Sequence, residues 1–358
     1  MTEIPEPLRS ILDLARWAPS GDNLQPWRFE VLSNSSLIIH GFYEKNQVYD
    51  LDGHAHELAW GALVETIAIA ASGFHLATEA ILKEAGDPEK RQIEIHFSPA
   101  PNVAPSPLIP FITKRSVQRR ALSMRTLSTG AKSALMASAG DNFDVIWKEG
   151  LRQKWRVARL MYRNAKLRLT MREAYEVHRT IIDWGKRYSE DKVPDQAVGL
   201  DPLTLKLMHW VMQSWSRVRF FNQWLAGTFL PRLQLDLLPG LACAAHFALI
   251  ARFPPTTSAD YFAGGRALQR FWLTATQLGL QLQPEMTPII FSRYVREGRR
   301  FTLQEDVLQS AQAIPTELGT LLGPQYANVL FLGRIGLGSA ASARSLRRPL
   351  PALLSTNN

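Results

Sequence analysis

Cys243 is the only cysteine in 358 residues, so no disulfide forms within the chain and no cysteine-rich metal site can be assembled. Long apolar runs are missing as well. The longest uncharged stretch in the apolar region, 237–251, contains Pro239 and His246 and falls short of the ~20 apolar residues that span a bilayer. The N-terminus lacks the basic-then-apolar order of a secretory signal, so a cytoplasmic location is expected. There is no phosphate-loop lysine motif, and no Ser, Cys or His stands in a recognisable nucleophile arrangement. Asp52, His54, His56 and Glu57 crowd one stretch. His54 and His56 would diverge on a strand, however, and helix ligands fall at i, i+4, so these are expected to be solvated polar residues at a helix start, with no metal. Gly333-Arg-Ile-Gly-Leu-Gly leads into a terminal tail instead of a βαβ unit, which excludes a dinucleotide loop.

What is present suits a folded protein with one large domain or two moderate ones: 46% hydrophobic and 20% charged residues. The net charge of +9 is unevenly placed. Between Lys148 and Arg187, twelve Lys or Arg face four Asp or Glu. This segment reads first as a solvated helix face, with weak contact to a membrane surface as the alternative. No nucleic-acid-binding motif accompanies it, so no nucleic acid partner is expected.

Periodicity organises the rest. Leu8, Ile11, Leu12, Ala15 and Trp17 give an amphipathic helix that Pro19 ends; Trp27, Phe29 and Val31 alternate as a strand, and Leu37, Ile39 and Phe42 suggest another. A long helix is expected over 56–82, with Trp60, Val64, Ile67, Ala71 and Phe74 on one face and Gly61, Ala68 and Ala70 allowing close approach. Ile93, Ile95 and Phe97 alternate in a strand, and the proline-rich run 99–110 reads as a connector. Residues 151–235 look mostly helical and aromatic, with a stripe of Val211, Trp215, Val218, Phe221 and Leu225. A buried strand or helix end is expected over 242–250, a second small-residue helix over 261–280, and a strand over 328–332 before a Gly-rich turn. The halves look like a diverged duplication. A shift of 204 pairs Gly61 with Gly265, Glu65 with Gln269, Ile67 with Phe271 and Ala71 with Ala275; a shift of 119 pairs Gly21-Asp22-Asn23 with Gly140-Asp141-Asn142. The expected units are 1–105 and 111–358, the second carrying a helical lid or insertion over about 150–240.

Two elements carry chemistry. Ser20-Gly-Asp-Asn23, between helix and strand, is a tight loop rich in hydrogen-bonding groups. Arg115 and Arg119 lie four apart, so on a helix they would project from one face, and paired guanidiniums suit a phosphate. Gln-Pro-Trp occurs only in the first half and Arg-Ser-Val-Gln-Arg only in the second.

Ala18-Pro-Ser-Gly-Asp-Asn-Leu-Gln-Pro-Trp-Arg-Phe29 resembles the signature loop of the nitroreductase family of FMN-dependent oxidoreductases. The resemblance implies an α+β fold with antiparallel-rich mixed sheets flanked by helices, normally an intertwined homodimer. In such a dimer the loop of one subunit lines a flavin held mainly by the other. Here two halves would form an intramolecular pseudo-dimer, as in the fused, Acg-type branch, and since the chemical residues are not duplicated, one FMN per chain is expected. By the same resemblance Pro19, Ser20, Asn23 and Gln25 would line the flavin. Arg115, Ser116 and Arg119, with Gln118 close by, would grip its phosphate and ribityl chain, Val117 standing where a serine is common. Arg347 and Arg348 would reach the phosphate, with Arg334 a weaker candidate, and Pro284, Glu285 and Met286 would set an amide against flavin N5 and O4. Trp184, Trp210, Trp215, Phe220, Phe221 and Trp224 would make a lid or substrate wall. The implied activity is hydride transfer from NADH or NADPH to a small-molecule substrate, a nitroaromatic or quinone, by a monomer or homodimer. Flavin-dependent oxidation of a biosynthetic intermediate and FMN storage are the alternatives.

Overall fold

The computed structural model describes residues 4–43, 47–83, 90–225 and 227–355. α1 (Leu8–Ala15) buries Leu8, Ile11, Leu12 and Ala15 as its 3.6-residue spacing dictates. The chain then passes through the 19–25 loop into an antiparallel hairpin, β1 (Trp27–Ser33) and β2 (Ser36–Phe42). α2 (His54–Ser72), β3 (Leu76–Lys83) and β4 (Lys90–Pro99) complete a sheet of order β1-β2-β4-β3, antiparallel throughout. An irregular connection over 100–128 leads to α3 (Thr129–Ala139) and β5 (Phe143–Lys148). A helical segment follows, with α4 (Gly150–Thr170), α5 (Arg172–Ile181), α6 (Pro202–Val211) and α7 (Trp215–Trp224). β6 (Ala245–Ala251), α8 (Ser258–Gln277), β7 (Leu280–Pro284), α9 (Thr287–Arg296), α10 (Glu305–Ala311), α11 (Ile314–Leu322) and β8 (Val329–Leu337) close the chain. The second sheet has the order β7-β8-β6-β5, again antiparallel.

The two sheets share one plan. In each, two neighbouring strands are followed by a long helix, an edge strand, and a strand that returns between them. The 204-residue shift holds in space: α2 begins at His54 and α8 at Ser258, β3 at Leu76 and β7 at Leu280. The helices cross reciprocally. A Cβ on Gly61 would lie 2.0 Å from the Phe262 carbonyl oxygen, and one on Gly265 would lie 2.0 Å from that of Leu58. Leu58 and Phe262 are themselves equivalent positions, so residue i meets j and j meets i, as across a two-fold axis. Polar pairs repeat the exchange: Glu65 meets Arg266 and Arg270, while Gln269 donates to Thr66 Oγ1 at 2.9 Å. This is an α+β fold whose two sheets repeat one plan.

The halves interlock. Residues 117–123 lie on the second sheet, with Gln118 N donating to Leu282 O (3.0 Å) and Ser123 N to Leu337 O (2.8 Å). The far end of the chain returns to the first sheet: Leu350 and Leu353 join its core, and Ser355 N donates to Phe29 O at 2.7 Å.

Several expectations change. The helix expected over 56–82 ends at Ser72; Gly73 follows it, His75 is left-handed (φ 54), and 76–83 become an edge strand. That strand is largely exposed, so its apolar residues carried no strict alternation. The turn expected after 332 is a continuation of β8, where Gly333 and Gly336 admit Gln283 O and Ser123 O at distances a Cβ would not allow. Arg115 and Arg119 are not helical. Val117 bridges to Leu282, which holds the segment extended. Six of the twelve cations between 148 and 187 are tied down within the fold. Lys154 donates to Cys243 O and Arg187 to Ser342 O; Arg168 pairs with Asp236, Arg163 with Glu317, and Arg172 and Arg179 with Glu176. No helix among the described residues is long and apolar enough to cross a membrane.

The crossing makes a sharp prediction. Gly265→Ala should destabilise the protein by about 3 kcal/mol or more in chemical denaturation, because the clash is with backbone that cannot move without separating the helices. Gly264→Ala, whose Cβ would meet the side chains of Leu330 and Leu58 and not backbone, should be milder. Equal losses would remove the crossing as the constraint.

Candidate functional site

The site begins with strain. Asp22, Asn23 and Gln25 have positive φ of 50°, 64° and 53°, a conformation that costs a non-glycine residue roughly 1–3 kcal/mol and persists only where its surroundings enforce it. Ser20 Oγ accepts from Gln25 N at 3.0 Å. The Gln25 side chain donates to Asn23 O (3.0 Å) and Glu190 O (2.9 Å) and accepts from Arg348 N (2.9 Å). Asn23 Nδ2 donates to Glu190 O and Lys192 O at 3.2 and 3.3 Å. The loop is thus clamped by the 190s segment and by the end of the chain.

Beside it lies a cavity of about 420 Å³, in the range of small-molecule sites. Leu58, Ala59 and Ala62 of α2 and Leu268 and Trp272 of α8 line it together, so the helix crossing forms part of its wall. Arg115, Arg344 and Arg347 enter it from the 115 segment and the chain end. Their hydrogen bonds go to backbone carbonyls: Arg115 to Trp17 (2.9 Å), Arg344 to Thr113 (3.0 Å), Arg347 to Ala18 (3.1 Å) and Leu346 (2.6 Å). Among the described residues none of the three forms an ion pair, and the Nε atoms of Arg115 and Arg344 are buried without a partner. Burial, then Arg347 and Arg344, hold the Arg115 pKa well below its usual value. Arg347 is lowered to about 9 by burial, Arg344 and Arg16. Three clustered cations with no carboxylate paired to them among the described residues have the chemistry to take an anion.

A second group of charges is compensated. Arg168 pairs with Asp236 at 3.2 Å, and Arg334 approaches Glu285 at 3.5 Å and donates to Arg119 O at 2.5 Å. Glu285 also holds His246 at 2.7 Å, while the other ring nitrogen of His246 is 2.8 Å from Gly240 O. Both ring nitrogens therefore donate and the ring is a cation. Burial works against the charge, but the attraction and hydrogen bonding of Glu285 and Cys243 together raise its pKa to about 10, and Glu285 is lowered by His246 and Arg334 against its own desolvation. Arg119 is lowered to about 10, chiefly by burial.

Tyr49 and His178 also line the cavity, 2.9 Å apart from Oη to Nε2. Burial and Arg168 drop the His178 pKa to about 3, so its ring is neutral and accepts from Tyr49, whose own pKa burial raises. Asp50 receives the amides of Ala55 and His56 at 2.8 and 2.9 Å and pairs with the His56 ring.

Of the residues singled out from sequence, the structure gathers Pro19, Ser20, Asn23, Arg115, Ser116, Arg119, Pro284, Glu285, Met286, Arg347 and Arg334 around this cavity. Gln25, Gln118 and Arg348 do not line it. Gln25 clamps the loop, Gln118 donates to Ser339 O (2.9 Å), and Arg348 turns toward Asp191 (3.5 Å). Within 284–286, proline has no N–H and the Glu285 amide donates to Leu332 O (2.7 Å), which leaves the Met286 amide. None of the six aromatics expected as a lid wall lines the cavity; Trp184 stacks on His209 and Trp215 packs near Tyr175. His56 and Glu57 are buried and Asp52 is half-buried, all in pairs and not solvated: Asp52 with Arg293, His56 with Asp50, Glu57 with His54. No group of three potential metal ligands occurs among the described residues. Arg344, Tyr49, His178, Arg168 and Asp236 were not anticipated. Only Arg344 had a signal, its three-residue spacing from Arg347 in a terminal segment already read as basic.

With this geometry in view, residues 5–171 match the family model described as Nitroreductase family. A curated relative, the uncharacterized protein MT1398 of Mycobacterium tuberculosis (strain CDC 1551 / Oshkosh), is 24% identical over 300 residues, covering 80% of this chain. The chain spans only 39% of that relative's length. Among solved structures, a nitroreductase-like family protein from Bacillus cereus shares 9% identity, covering 70% of this chain and 96% of its own, with a TM-score of 0.35. The FMN-dependent nitroreductase NfnB from Mycobacterium smegmatis, solved in complex with NADPH, shares 17% identity, covering 69% and 96%, also at 0.35. Both likenesses are too slight to argue from.

The His246–Glu285 pair sets a pH dependence. A folded pKa raised to about 10 from 6.5 stabilises fully below the unfolded value and is lost as pH rises through the folded one. Denaturation midpoints should therefore fall between pH 7 and pH 10 by the equivalent of about 3 kcal/mol, the scale of breaking a buried pair. The double variant His246→Gln, Glu285→Gln should lose most of that slope; an unchanged slope would show that the pair does not carry it.

Proposed function

We propose that this chain is an FMN-dependent oxidoreductase of the nitroreductase type, holding one FMN and using NADH or NADPH to reduce a small organic acceptor of the nitroaromatic or quinone class. The observation that carries this reading is the trio of buried Arg115 and Arg347 and half-buried Arg344, beside a strained polar loop without a carboxylate among them. A phosphate monoester would supply the missing counter-charge and the acceptors for the orphaned Nε atoms of Arg115 and Arg344. When bound, FMN supplies the two-electron hydride chemistry. The protein's part is binding and orientation. Arg115 is fixed by Trp17 O and by the face of Trp272, 4.6 Å from its guanidinium carbon, so the phosphate grip is preorganised. The Met286 amide and the 19–23 loop offer neutral polar contacts for a ring edge. Neutral His178 holds the Tyr49 proton at the cavity surface.

A stoichiometry of one follows if the 1–105 and 111–358 units stand for the two subunits of a dimer: Gly140-Asp141-Asn142, paired with 21–23 by the 119-residue shift, follow the end of α3, which is held to α8 where Arg270 donates to Ser138 O (2.9 Å) and Ala139 O (3.1 Å). A storage role is the second reading. It is favoured by the insertion, whose Val193, Ala197, Val198 and Leu235 wall the cavity and would limit access to a reductant.

Protein saturated with FMN and desalted should show a flavin spectrum at one FMN per chain. Arg115→Ala should weaken FMN binding about 10- to 100-fold, the scale of hydrogen bonds to charged groups, with Arg115→Lys intermediate because a point charge replaces a fork. Absence of bound flavin, or an unchanged affinity in Arg115→Ala, would overturn the reading. Anaerobic NADPH should bleach the flavin; persistent yellow colour selects the storage alternative.

A further inference from the structure

The stretch between two cavity-lining pairs, 197–198 and 235–236, lies over α4 and α5, where Asn222 donates to Leu169 O (2.9 Å) and Trp215 packs near Tyr175. Its base is tied: Gln234 Nε2 donates to Asp201 Oδ2 (2.6 Å) and Asp201 N to Gln234 Oε1 (3.1 Å). Asp201 also caps α6 through the amides of Leu203 and Thr204 at 3.0 and 3.1 Å.

Beyond that base the surface is unusual. α6 sets Leu203, Leu207 and Trp210 at i, i+4 and i+7; α7 sets Phe220 and Trp224 at i and i+4; Leu225, Phe229 and Leu230 follow. All eight are between 42% and 78% exposed. The two stripes meet where Trp210 packs edge-on to Phe221 at 5.8 Å. Single exposed apolar residues are ordinary, but these are eight of the 23 large exposed ones among the described residues, gathered into 28 positions. Residues 202–235 contain no Asp or Glu, yet hold Lys206, Arg217, Arg219 and Arg232. Lys206 and Arg219 are exposed, and Arg217 lies over the Trp210 ring at 4.3 Å.

We propose that this flap docks the protein on an anionic lipid surface, with Trp, Phe and Leu side chains at the headgroup–acyl boundary and Lys206 and Arg219 meeting the headgroups. Two ten-residue helices are far too short to span a bilayer but suit lying in its interface, where this mixture of aromatic, leucine and basic residues is favoured. The absence of carboxylates removes the repulsion that anionic headgroups would otherwise meet. The segment differs from the basic 148–187 stretch, which holds four Asp or Glu where 202–235 holds none. The inference does not depend on the flavin reading.

Full-length protein floated with vesicles tests it. Phosphatidylcholine vesicles containing phosphatidylglycerol should carry the protein upward, pure phosphatidylcholine much less so, and added salt should weaken the difference. The double variant Phe220→Ser, Trp224→Ser should lose at least about tenfold in partitioning, since each side chain forfeits its apolar burial. Lys206→Glu with Arg219→Glu should abolish the preference for phosphatidylglycerol. All four positions are exposed, so the variants should fold, which an unchanged melting midpoint checks. Failure to float with either vesicle overturns the proposal. So does a solution dimer by light scattering that Trp224→Ser dissociates, because a second copy then occupies the face. FMN content measured on the same samples separates the two readings: flavin-loaded protein that ignores vesicles sinks only this inference, and vesicle binding without flavin sinks only the other.

Discussion

The close contact of α2 and α8 is the constraint from which the rest follows. Two backbones can approach this closely only where side chains are absent, and Gly61 and Gly265 supply that absence to each other's partners, Phe262 and Leu58. Because the exchange is reciprocal, the crossing fixes a two-fold relation between halves with little sequence left in common. It also fixes the cavity. The same two helices present Leu58, Ala59 and Ala62 from one side and Leu268 and Trp272 from the other, so the wall exists only where the halves are joined.

Around that wall, charge is segregated instead of balanced. Arg168, Arg334 and His246 are met by Asp236 and Glu285, and those pairs fold without help from a ligand. Arg115, Arg344 and Arg347 have no such answer among the described residues, and an unpaired buried charge is among the more destabilising features a fold can carry. Three left-handed non-glycine residues in the adjacent loop add to it. Local rules broken together at one place, with the surroundings built to enforce them, are what a functional site shows, and the charge left over is of the sign that suits the proposed phosphate.

The sequence showed some of this and concealed the rest for identifiable reasons. The helix-loop-strand around Pro19 to Phe29 was legible because proline, polar loop residues and alternation all acted locally. The 204-residue shift was legible because close helix contact leaves small residues in register. The end of α2 was hidden: β3 is an exposed edge strand, and its residues extend the helical spacing by chance. The extended course of 115–119 depends on a bridge between Val117 and Leu282 that no local pattern announces. Gln25 and Arg348 were placed in the right neighbourhood but the wrong direction, since they hold the loop from behind. Tyr49 and His178 are brought together from 129 positions apart, and no spacing could have joined them.

What breaks the two-fold symmetry is the connection between the first two strands of each sheet. In the first half, β1 and β2 are joined by a tight turn at Asn34 and Ser35; in the second, β5 and β6 are separated by residues 149–244. That insertion does more than add surface. Its Glu190 and Lys192 carbonyls accept from Asn23 and Gln25, so the strained loop of the first half is held by a segment the first half lacks. Its Arg168, His178 and Asp236 bring charge and a proton-holding pair to the same cavity. A symmetric dimer would have to build two such sites from identical parts. Here the loop, the arginines and the insertion each occur once, and all three converge on one cavity because the clamp that stabilises the loop also closes the wall around it.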